Sequence, residues 1–257
     1  MSISEGTYSF PSPFRRLVID LMHFSARVPA ATLERMMPLS SLVAARKNAD
    51  PSPTWSALFT KAFALAARKI PALRTTFLNF PTGRFYLHPD SIATINVSRE
   101  VNGEPIILPA AIPNPDSLAL AEIDTLIRGY QENPVELIPS YQQSSRLASI
   151  PWPFRRLVWW GALNLSGRMR CQIFGTFGIS SLGAQGAGIT HLAPIQTSQL
   201  HYGMFSPEGV LPMRLSFDHR VLDGLSAAKA LGELEDTLLK DMVAECNALP
   251  GKKPGTA

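Results

Sequence analysis

A histidine and an aspartate four residues apart have the types and spacing for acid–base chemistry. His219 follows an alternating stretch, residues 213–217, that predicts a strand, and Asp223 precedes a stretch that predicts a helix. Gly224 permits a tight or left-handed turn, and Ser226 can cap the helix. The sequence therefore predicts a strand-to-helix corner that presents an imidazole, the side chain best suited to act as a general base near neutral pH.

The alternative interpretation of this pair is a hydrogen-bonded structural histidine beside an aspartate of a turn. No metal site is expected, because the other histidines have no paired spacing for one: His23, His88, His191 and His201. His191 and His201 either border a site around residue 180 or are structural. Two cysteines, Cys171 and Cys246, are too few for a disulfide framework and favour a reducing compartment.

The elements that would position this corner follow one another irregularly. Helices are predicted at 14–25, 40–47, 56–69, 117–129 and 226–246, the fourth with Asp116 or Ser117 as its cap. Strands are predicted at 32–37, 92–101, 106–111, 170–181, 199–203 and 210–217, with an Asn102-Gly103 turn between the second and the third. Because there is no regular βαβ order and no internal repeat, we expect an α+β fold or a mixed-sheet sandwich.

Composition narrows the class of protein. The 257 residues are 46% apolar and 17% charged, as in a globular protein with a sizeable core. A net charge of +4 fits an anionic ligand such as a nucleotide-bearing thioester, although a solvated basic surface explains it equally well. No dense Lys/Arg run indicates nucleic-acid binding. Since no signal peptide or membrane-spanning run is visible, we expect a cytoplasmic protein.

Two motifs resemble those of a known enzyme family. Residues 218–224, Asp-His-Arg-Val-Leu-Asp-Gly, are similar to the Asp-His-Arg-x-x-Asp-Gly signature of the acyltransferase (E2) subunits of 2-oxoacid dehydrogenase complexes. Chloramphenicol acetyltransferases share the His-x-x-x-Asp-Gly part. Residues 175–183, Gly-Thr-Phe-Gly-Ile-Ser-Ser-Leu-Gly, resemble the family's Gly-Thr-Phe-Thr-Ile-Ser-Asn-Leu-Gly. Weaker matches at 42–47, 61–71, 95–97 and 193–195 keep the family's order, so the resemblance covers roughly residues 14–245.

The resemblance implies a chloramphenicol acetyltransferase-like two-layer fold, α+β, with a mixed β-sheet flanked by helices. It also implies a homotrimer, alone or in a larger assembly of trimers, with coenzyme A or acyl-CoA as a substrate. By position His219 matches the catalytic base and Ser180 the serine that donates to the oxyanion. Asp223, which orders the corner with Gly224, would pair with Arg46. The alternative for Ser180 is a strand-end serine bonded to backbone.

Departures from the family pattern restrict the expected role. The family's Val-Asp-Ile is here Met-Pro-Leu at 37–39, Gly178 replaces a threonine, Ser181 replaces an asparagine, and the stretch from Ser181 to His219 is about a dozen residues shorter than usual. We expect an arm at 1–13, an acyltransferase domain at 14–249 and a disordered tail at 250–257. This division leaves no lipoyl domain and no covalently bound lipoate, which favours a stand-alone catalytic domain.

A segment rich in tryptophan and arginine, residues 150–163, has no clear counterpart in the family. It is interpreted as ordinary core or subunit interface, as a wall of an acyl pocket, or as a helix that touches a membrane. Three functions follow. The first is a coenzyme A-dependent acyltransferase, of the 2.3.1 class, with an unidentified acceptor. The others are a non-catalytic trimeric scaffold and a membrane-surface acyltransferase acting on a lipid-like substrate.

Overall fold

The computed structural model describes residues 6–181, 187–190 and 194–252. The first half contains helices and strands in mixed order: α1 (Pro13–Ser25), β1 (Ala30–Pro38), α2 (Ser40–Asn48), α3 (Trp55–Lys69), β2 (Thr75–Leu78), β3 (Arg84–Leu87), β4 (Ile92–Val101) and β5 (Glu104–Pro113). The second half continues with α4 (Leu120–Glu132), α5 (Pro139–Ser149), α6 (Trp152–Asn164), α7 (Gly167–Phe174), β6 (Phe177–Ser181), β7 (Ser198–Tyr202), β8 (Val210–Asp218), α8 (Gly224–Thr237) and α9 (Val243–Ala248). A π-helical turn, Leu238–Met242, joins α8 to α9.

Six strands form one mixed sheet in the order β1-β8-β7-β6-β4-β5. Strand β6 runs parallel to both β4 and β7, and the other neighbours are antiparallel. Alternate side chains of β8, at 211, 213, 215 and 217, are buried against α3 and α8 and form the main core with them. The predicted α+β fold with a mixed sheet covered by helices is therefore confirmed.

The other side chains of β8 form a polar row across β1. The Thr32 and Ser216 hydroxyls lie 2.8 Å apart, and the Arg214 guanidinium lies 2.5 Å from the Glu34 carboxylate. Ser216 is fully buried. Because Ser180 is level with Arg214 across the sheet, this polar row belongs to the same face as Ser180.

The observed elements differ from the predicted ones at several places. The strand predicted at 170–181 is a helix up to Phe174, because the Ser166 hydroxyl caps α7 by accepting from the Met169 amide at 3.3 Å. Helix α5 occupies a stretch after the predicted helix at 117–129 in which no helix or strand is predicted. Helix α4 begins at Leu120 instead of following an Asp116 or Ser117 cap.

The chain ends of the described region are bonded to the body of the protein. The Ser12 hydroxyl accepts from the Arg15 amide at the start of α1 and donates to the Glu104 carboxylate at 2.6 Å. The Asp50 amide donates to the Pro250 carbonyl at 2.8 Å, and Lys252 bonds to the end of α2, so the predicted tail begins as paired backbone. Residues 253–257 lie outside the described residues. Over the described ranges, none of the helices combines the length and the apolar character needed to cross a membrane.

Candidate active site

The corner after β8 presents His219 with an exposed side chain. The His219 amide donates to the Pro29 carbonyl at 2.8 Å, which fixes the backbone beside the start of β1. The buried Asp218 carboxylate accepts two bonds from the Arg220 guanidinium, at 2.9 and 2.7 Å, and one from the Arg220 amide at 3.0 Å. Such a bidentate pair holds the turn rigidly. The imidazole therefore projects from a fixed corner, as its predicted role requires.

The Asp218–Arg220 pair was not assigned a role from the sequence. The signal was available, since both residues belong to the same seven-residue motif as His219. Their ion pair explains why an aspartate and an arginine both occur in this motif, because a buried carboxylate needs a partner that is always positively charged. The Arg220 guanidinium also lies 4.7 Å from the centroid of the Phe77 ring, which anchors it on the far side.

Asp223 is exposed and caps helix α8. Its carboxylate accepts from the Ser226 amide at 2.7 Å, and this bond, helped by the Ser226 hydroxyl and the nearby His219, lowers the pKa of Asp223 from its ordinary value. The prediction that Ser226 is the cap is therefore wrong, because Ser226 is the donor. Of the tight or left-handed turn that Gly224 would permit, the left-handed form is not observed, since Gly224 is the first residue of α8 and its φ lies outside the left-handed region.

Ser180 lies near the end of β6 and is half-buried. The strand reaches it through Gly175, whose φ of +81° is left-handed and where an added Cβ would come within 2.8 Å of the Ile92 carbonyl oxygen. Gly178 lies against the Gln199 side chain, whose Cγ and Cδ would be 3.2 Å from an added Cβ, so a larger residue there would require Gln199 to shift. The two described glycines of this motif are thus closely packed, and Gly183 lies outside the described residues.

Ser180 and His219 are distant within one chain. In the sheet Ser180 pairs with His201, and His201 pairs with Arg214, so Ser180 is level with a residue five positions before His219. This corresponds to about 16 Å along the strands and about 10 Å across them. Two groups that act on one carbonyl must both lie about 3 Å from it. The two predicted site residues are therefore not brought together within a single chain.

A pocket of about 580 Å³ opens near the Ser180 end of the sheet. The beginning of α3, the ends of β6 and β7 and part of α4 surround it. Its lining includes Ile179, which precedes Ser180 in β6 and faces the opposite side of the sheet, and Tyr202, whose hydroxyl lies 3.0 Å from the Ser56 hydroxyl. Its size falls within the range of pockets that bind small molecules and cofactors.

Arg46 lies at this pocket and not at the His219 corner. Its Nε donates to the Pro53 carbonyl at 2.7 Å, and its guanidinium lies 4.7 Å from the centroid of the Trp55 ring. Helix α2 follows the end of β1 that pairs with Val210, whereas Asp223 follows the opposite end of β8. The predicted Arg46–Asp223 pair is therefore not formed within the chain, and that prediction is corrected.

The remaining titratable candidates supply no further chemistry. Among the described residues no group of three side chains could hold a metal ion, and His191 lies outside them. His201 is buried beside Ser180 in the sheet. Burial raises the pKa of the Cys171 thiol to about 11 and raises that of Cys246, so neither is suited to act as a nucleophile.

The segment rich in tryptophan and arginine forms helix α6, which packs on α1. Arg155 is buried and its Nε lies 2.5 Å from the equally buried Asp20 carboxylate. Trp159 stacks between Phe24 and Phe174. The core interpretation therefore holds for this side of the helix, whereas four apolar side chains on α6 are exposed: Trp152, Phe154, Leu157 and Val158.

Comparisons with known proteins agree with this architecture. No protein-family model matches the sequence. A Haemophilus influenzae dihydrolipoyllysine-residue acetyltransferase component of the pyruvate dehydrogenase complex is 39% identical over 79 residues, which cover 25% of this chain. The aligned part is only 14% of that protein's length.

Solved structures resemble the chain over most of its length. The Azotobacter vinelandii dihydrolipoamide acetyltransferase is 20% identical with a TM-score of 0.63, and 92% of this chain and 93% of that chain are covered. A chloramphenicol acetyltransferase is 15% identical with a TM-score of 0.53, covering 85% and 93% of the two chains. The chain therefore has the fold that dihydrolipoamide acetyltransferase cores share with chloramphenicol acetyltransferase, as its two motifs predicted.

Proposed function

We propose that this protein is a coenzyme A-dependent acyltransferase whose active site forms between two copies of the chain. His219 of one copy is the general base, and Ser180 of the neighbouring copy donates to the oxyanion. The observation that carries this proposal is the separation of these two residues at opposite ends of the strands of one sheet, Ser180 near the end of β6 and His219 directly after β8. A closed ring of identical subunits, such as the trimer that the resemblance implies, would bring the Ser180 end of one sheet to the His219 end of the next.

In the reaction His219 takes the proton from the acceptor's hydroxyl, thiol or amine as that atom attacks the thioester carbonyl of acyl-CoA. The Ser180 hydroxyl donates a hydrogen bond to the oxygen on which negative charge develops. The tetrahedral intermediate then expels the coenzyme A thiolate, which receives the proton from the His219 imidazolium. Fixing the imidazole through Pro29 and the Asp218–Arg220 pair lowers the entropy lost in reaching this geometry.

The Azotobacter relative supports the choice of residues. In that enzyme a serine, a histidine and an asparagine have been investigated as parts of the catalytic mechanism, and the asparagine lies four residues after the histidine. Asp223 stands at the same separation from His219 in this chain. The acceptor is a small amine or alcohol, a carrier-protein thiol, or a lipoyl group supplied by another chain.

Substitution of the base tests this function. His219→Ala should lower the rate of acyl transfer from acetyl-CoA to a dihydrolipoamide or chloramphenicol acceptor by about 10²- to 10⁴-fold. The melting temperature should be unchanged, because the His219 side chain is exposed and only its backbone holds the corner. Lys229→Ala, an exposed change on the following helix, serves as the matched control and should keep full activity. Retained activity in His219→Ala would overturn the proposal.

The scaffold alternative predicts a different result for ligand binding. A scaffold has no need for coenzyme A, so titration with millimolar coenzyme A would give no heat while the subunits still associate. An acyltransferase should bind coenzyme A whether or not His219 is present, because the base acts in the chemical step. Measuring binding and association on the same His219→Ala sample therefore separates the two functions.

The exposed apolar side of α6 favours a second candidate, an acyltransferase that works at a membrane surface. Trp152 and Phe154 are more than half exposed at the start of the helix, together with Leu157 one turn later. Such a surface can lie in the boundary between lipid headgroups and acyl chains. Flotation with vesicles of mixed anionic and neutral lipid tests this, with Leu157→Glu as the variant. Recovery of the wild-type protein only in the soluble fractions would exclude it.

A further inference from the structure

A second cavity, of about 250 Å³, lies behind the His219 corner. We call it the arginine pocket. Its walls come from the end of α1, the end of β2, helices α6 and α7 and the residue after His219. Three arginines line it: Arg27, Arg170 and Arg220. The described residues that line it include two asparagines but no aspartate or glutamate, so its surface is strongly cationic.

Arg170 is the most unusual of the three cations. It is 6% exposed, and among the described residues its side chain bonds to backbone carbonyls, those of Phe77 at 2.8 Å, Leu163 at 3.3 Å and Ile195 at 2.6 Å. Within the described part of the chain, no carboxylate lies within ion-pair distance of it. Burial lowers the pKa of Arg170 to about 10, although the attraction of the Asp218 carboxylate acts to raise this pKa. A buried cation without a paired anion is costly.

The local charges do not cancel around this residue. Asp218 is the carboxylate whose charge acts on Arg170, and both of its oxygens already accept from Arg220. Arg27 is exposed at the mouth, where its side chain contacts the ring of His23 at 3.3 Å. Of the three arginines that line the cavity, Arg220 pairs with Asp218, and Arg27 and Arg170 have no carboxylate partner among the described residues, which leaves an excess of positive charge at the cavity. An anion in the cavity would compensate this excess in a low-dielectric position, where charge attraction is strong.

The rest of the lining restricts the size and character of the ligand. Trp160, Leu163 and Phe24 provide an apolar wall opposite the guanidinium groups, and Asn79 lies at the rim. The volume exceeds what one water needs but is below the range of about 300–1,000 Å³ that drug-sized ligands occupy. A short organic acid, or the phosphate end of a larger molecule, fits both the charge and the volume.

We propose that the arginine pocket is a binding site for a small anion, a carboxylate or phosphate group carried on a short apolar body. Val28 and Arg220, which line the pocket, are the chain neighbours of Pro29 and His219, which share the backbone bond that fixes the corner. The bound anion therefore lies against the back of the element that holds the general base. The proposal concerns binding and does not depend on acyl transfer.

Calorimetric titration with succinate and with inorganic phosphate tests the proposal. The wild-type protein should bind at least one of them with a Kd of about 1 mM or below at low salt, and added sodium chloride should weaken it. Arg27→Glu should weaken binding by at least about tenfold, because it reverses a charge at the mouth. Arg16→Glu, an equally exposed arginine on α1 outside the pocket, should change binding by less than about twofold.

Coenzyme A is the third titrant and identifies the source of the anion. If Arg27→Glu weakens coenzyme A and phosphate equally, the pocket takes a phosphate of coenzyme A. If it weakens succinate alone, the pocket takes a free organic acid. Absence of heat with all three titrants, or equal effects of the two charge reversals, would overturn the proposal. Arg27 is exposed, so circular dichroism should show that both variants fold.

Discussion

Ser180 and His219 lie on one sheet with β7 between their strands, and they are separated by about 16 Å along the strand direction. No side-chain rotation closes such a gap. If both residues act on one carbonyl, they must come from different chains, and each chain then contributes half of two sites. This arrangement allows a test by mixing inactive variants.

Ser180→Ala and His219→Ala should each be inactive alone and should regain activity together. When the two variants are co-refolded in equal amounts, about a quarter of the subunit contacts combine an intact serine with an intact histidine, if each site lies between two subunits of a ring. Acyl transfer should therefore recover to about a quarter of the wild-type rate per site. The measurement is the rate of thiol release from acetyl-CoA.

A double variant provides the control for this experiment. Ser180→Ala/His219→Ala mixed with wild-type protein should lower the activity in proportion to the loss of intact contacts, and mixed with either single variant it should give none. A mixture of single variants that stays inactive, although both are folded and associate, would contradict a site shared between subunits.

The charge of Asp223 should make stability depend on pH in the acid range. Its pKa is lowered in the folded state by the Ser226 amide, so its contribution is fully present above its ordinary pKa of 3.8 and is lost as the pH falls through the lowered value. Asp223→Asn keeps a good cap but cannot ionise. Its melting temperature should fall slightly below that of the wild type at pH 6 and approach it as the pH is lowered below 3.8 through the lowered pKa.

The comparison of these two proteins needs thermal melts at several pH values in a constant salt concentration. Asp223→Ala, which removes the cap altogether, should melt lower than Asp223→Asn throughout the range. Equal slopes of melting temperature against pH for wild type and Asp223→Asn would show that the carboxylate has no lowered pKa.

The sequence was informative where local chemistry decides structure. The alternating pattern before His219 and the Asn102-Gly103 turn predicted real elements, with φ of 53° and 77° at the turn. The sequence could not show that Asp223 and Arg46 lie apart within the chain, because spacing along the chain does not tell which end of a sheet a helix reaches. The composition of residues 170–174 favours a strand, but these residues belong to helix α7. The sequence prediction did not take into account that Ser166 caps a helix at this position.

Sequence also could not show the arginine pocket. Arg27, Arg170 and Arg220 are scattered over nearly two hundred residues, and only the packing of α1 and α7 beside the corner brings them together. By contrast, the two acyltransferase motifs could be recognised from the sequence, because each is a continuous stretch of residues. Local geometry requires Gly175 in the first and the Asp218–Arg220 pair in the second. Long-range charge clusters have no such local signature.

Gly175 should tolerate no side chain. Its φ of +81° and the 2.8 Å approach of an added Cβ to the Ile92 carbonyl mean that Gly175→Ala must move β6 or β4. We expect a loss of stability of more than about 1 kcal/mol, measured by urea unfolding, together with reduced acyl transfer because Ser180 is on the displaced strand. Gly232→Ala, a helical glycine of α8 with open space around it, should be neutral or slightly stabilising.

The buried ion pair between Asp20 and Arg155 should be the most sensitive link between α1 and α6. Their exposed side-chain fractions are 0% and 3%, and Arg156 also contacts Asp20 at 3.3 Å. Asp20→Ala leaves the buried guanidinium without its partner and should cost about 3–5 kcal/mol in the free energy of unfolding. Asp20→Ala/Arg155→Met removes both charges and should recover part of that loss.

Asp236→Ala, which breaks an exposed pair with Lys240, is the control and should have no measurable cost. If the Asp20→Ala and Asp236→Ala proteins unfold at the same urea concentration, the buried pair is not a structural link.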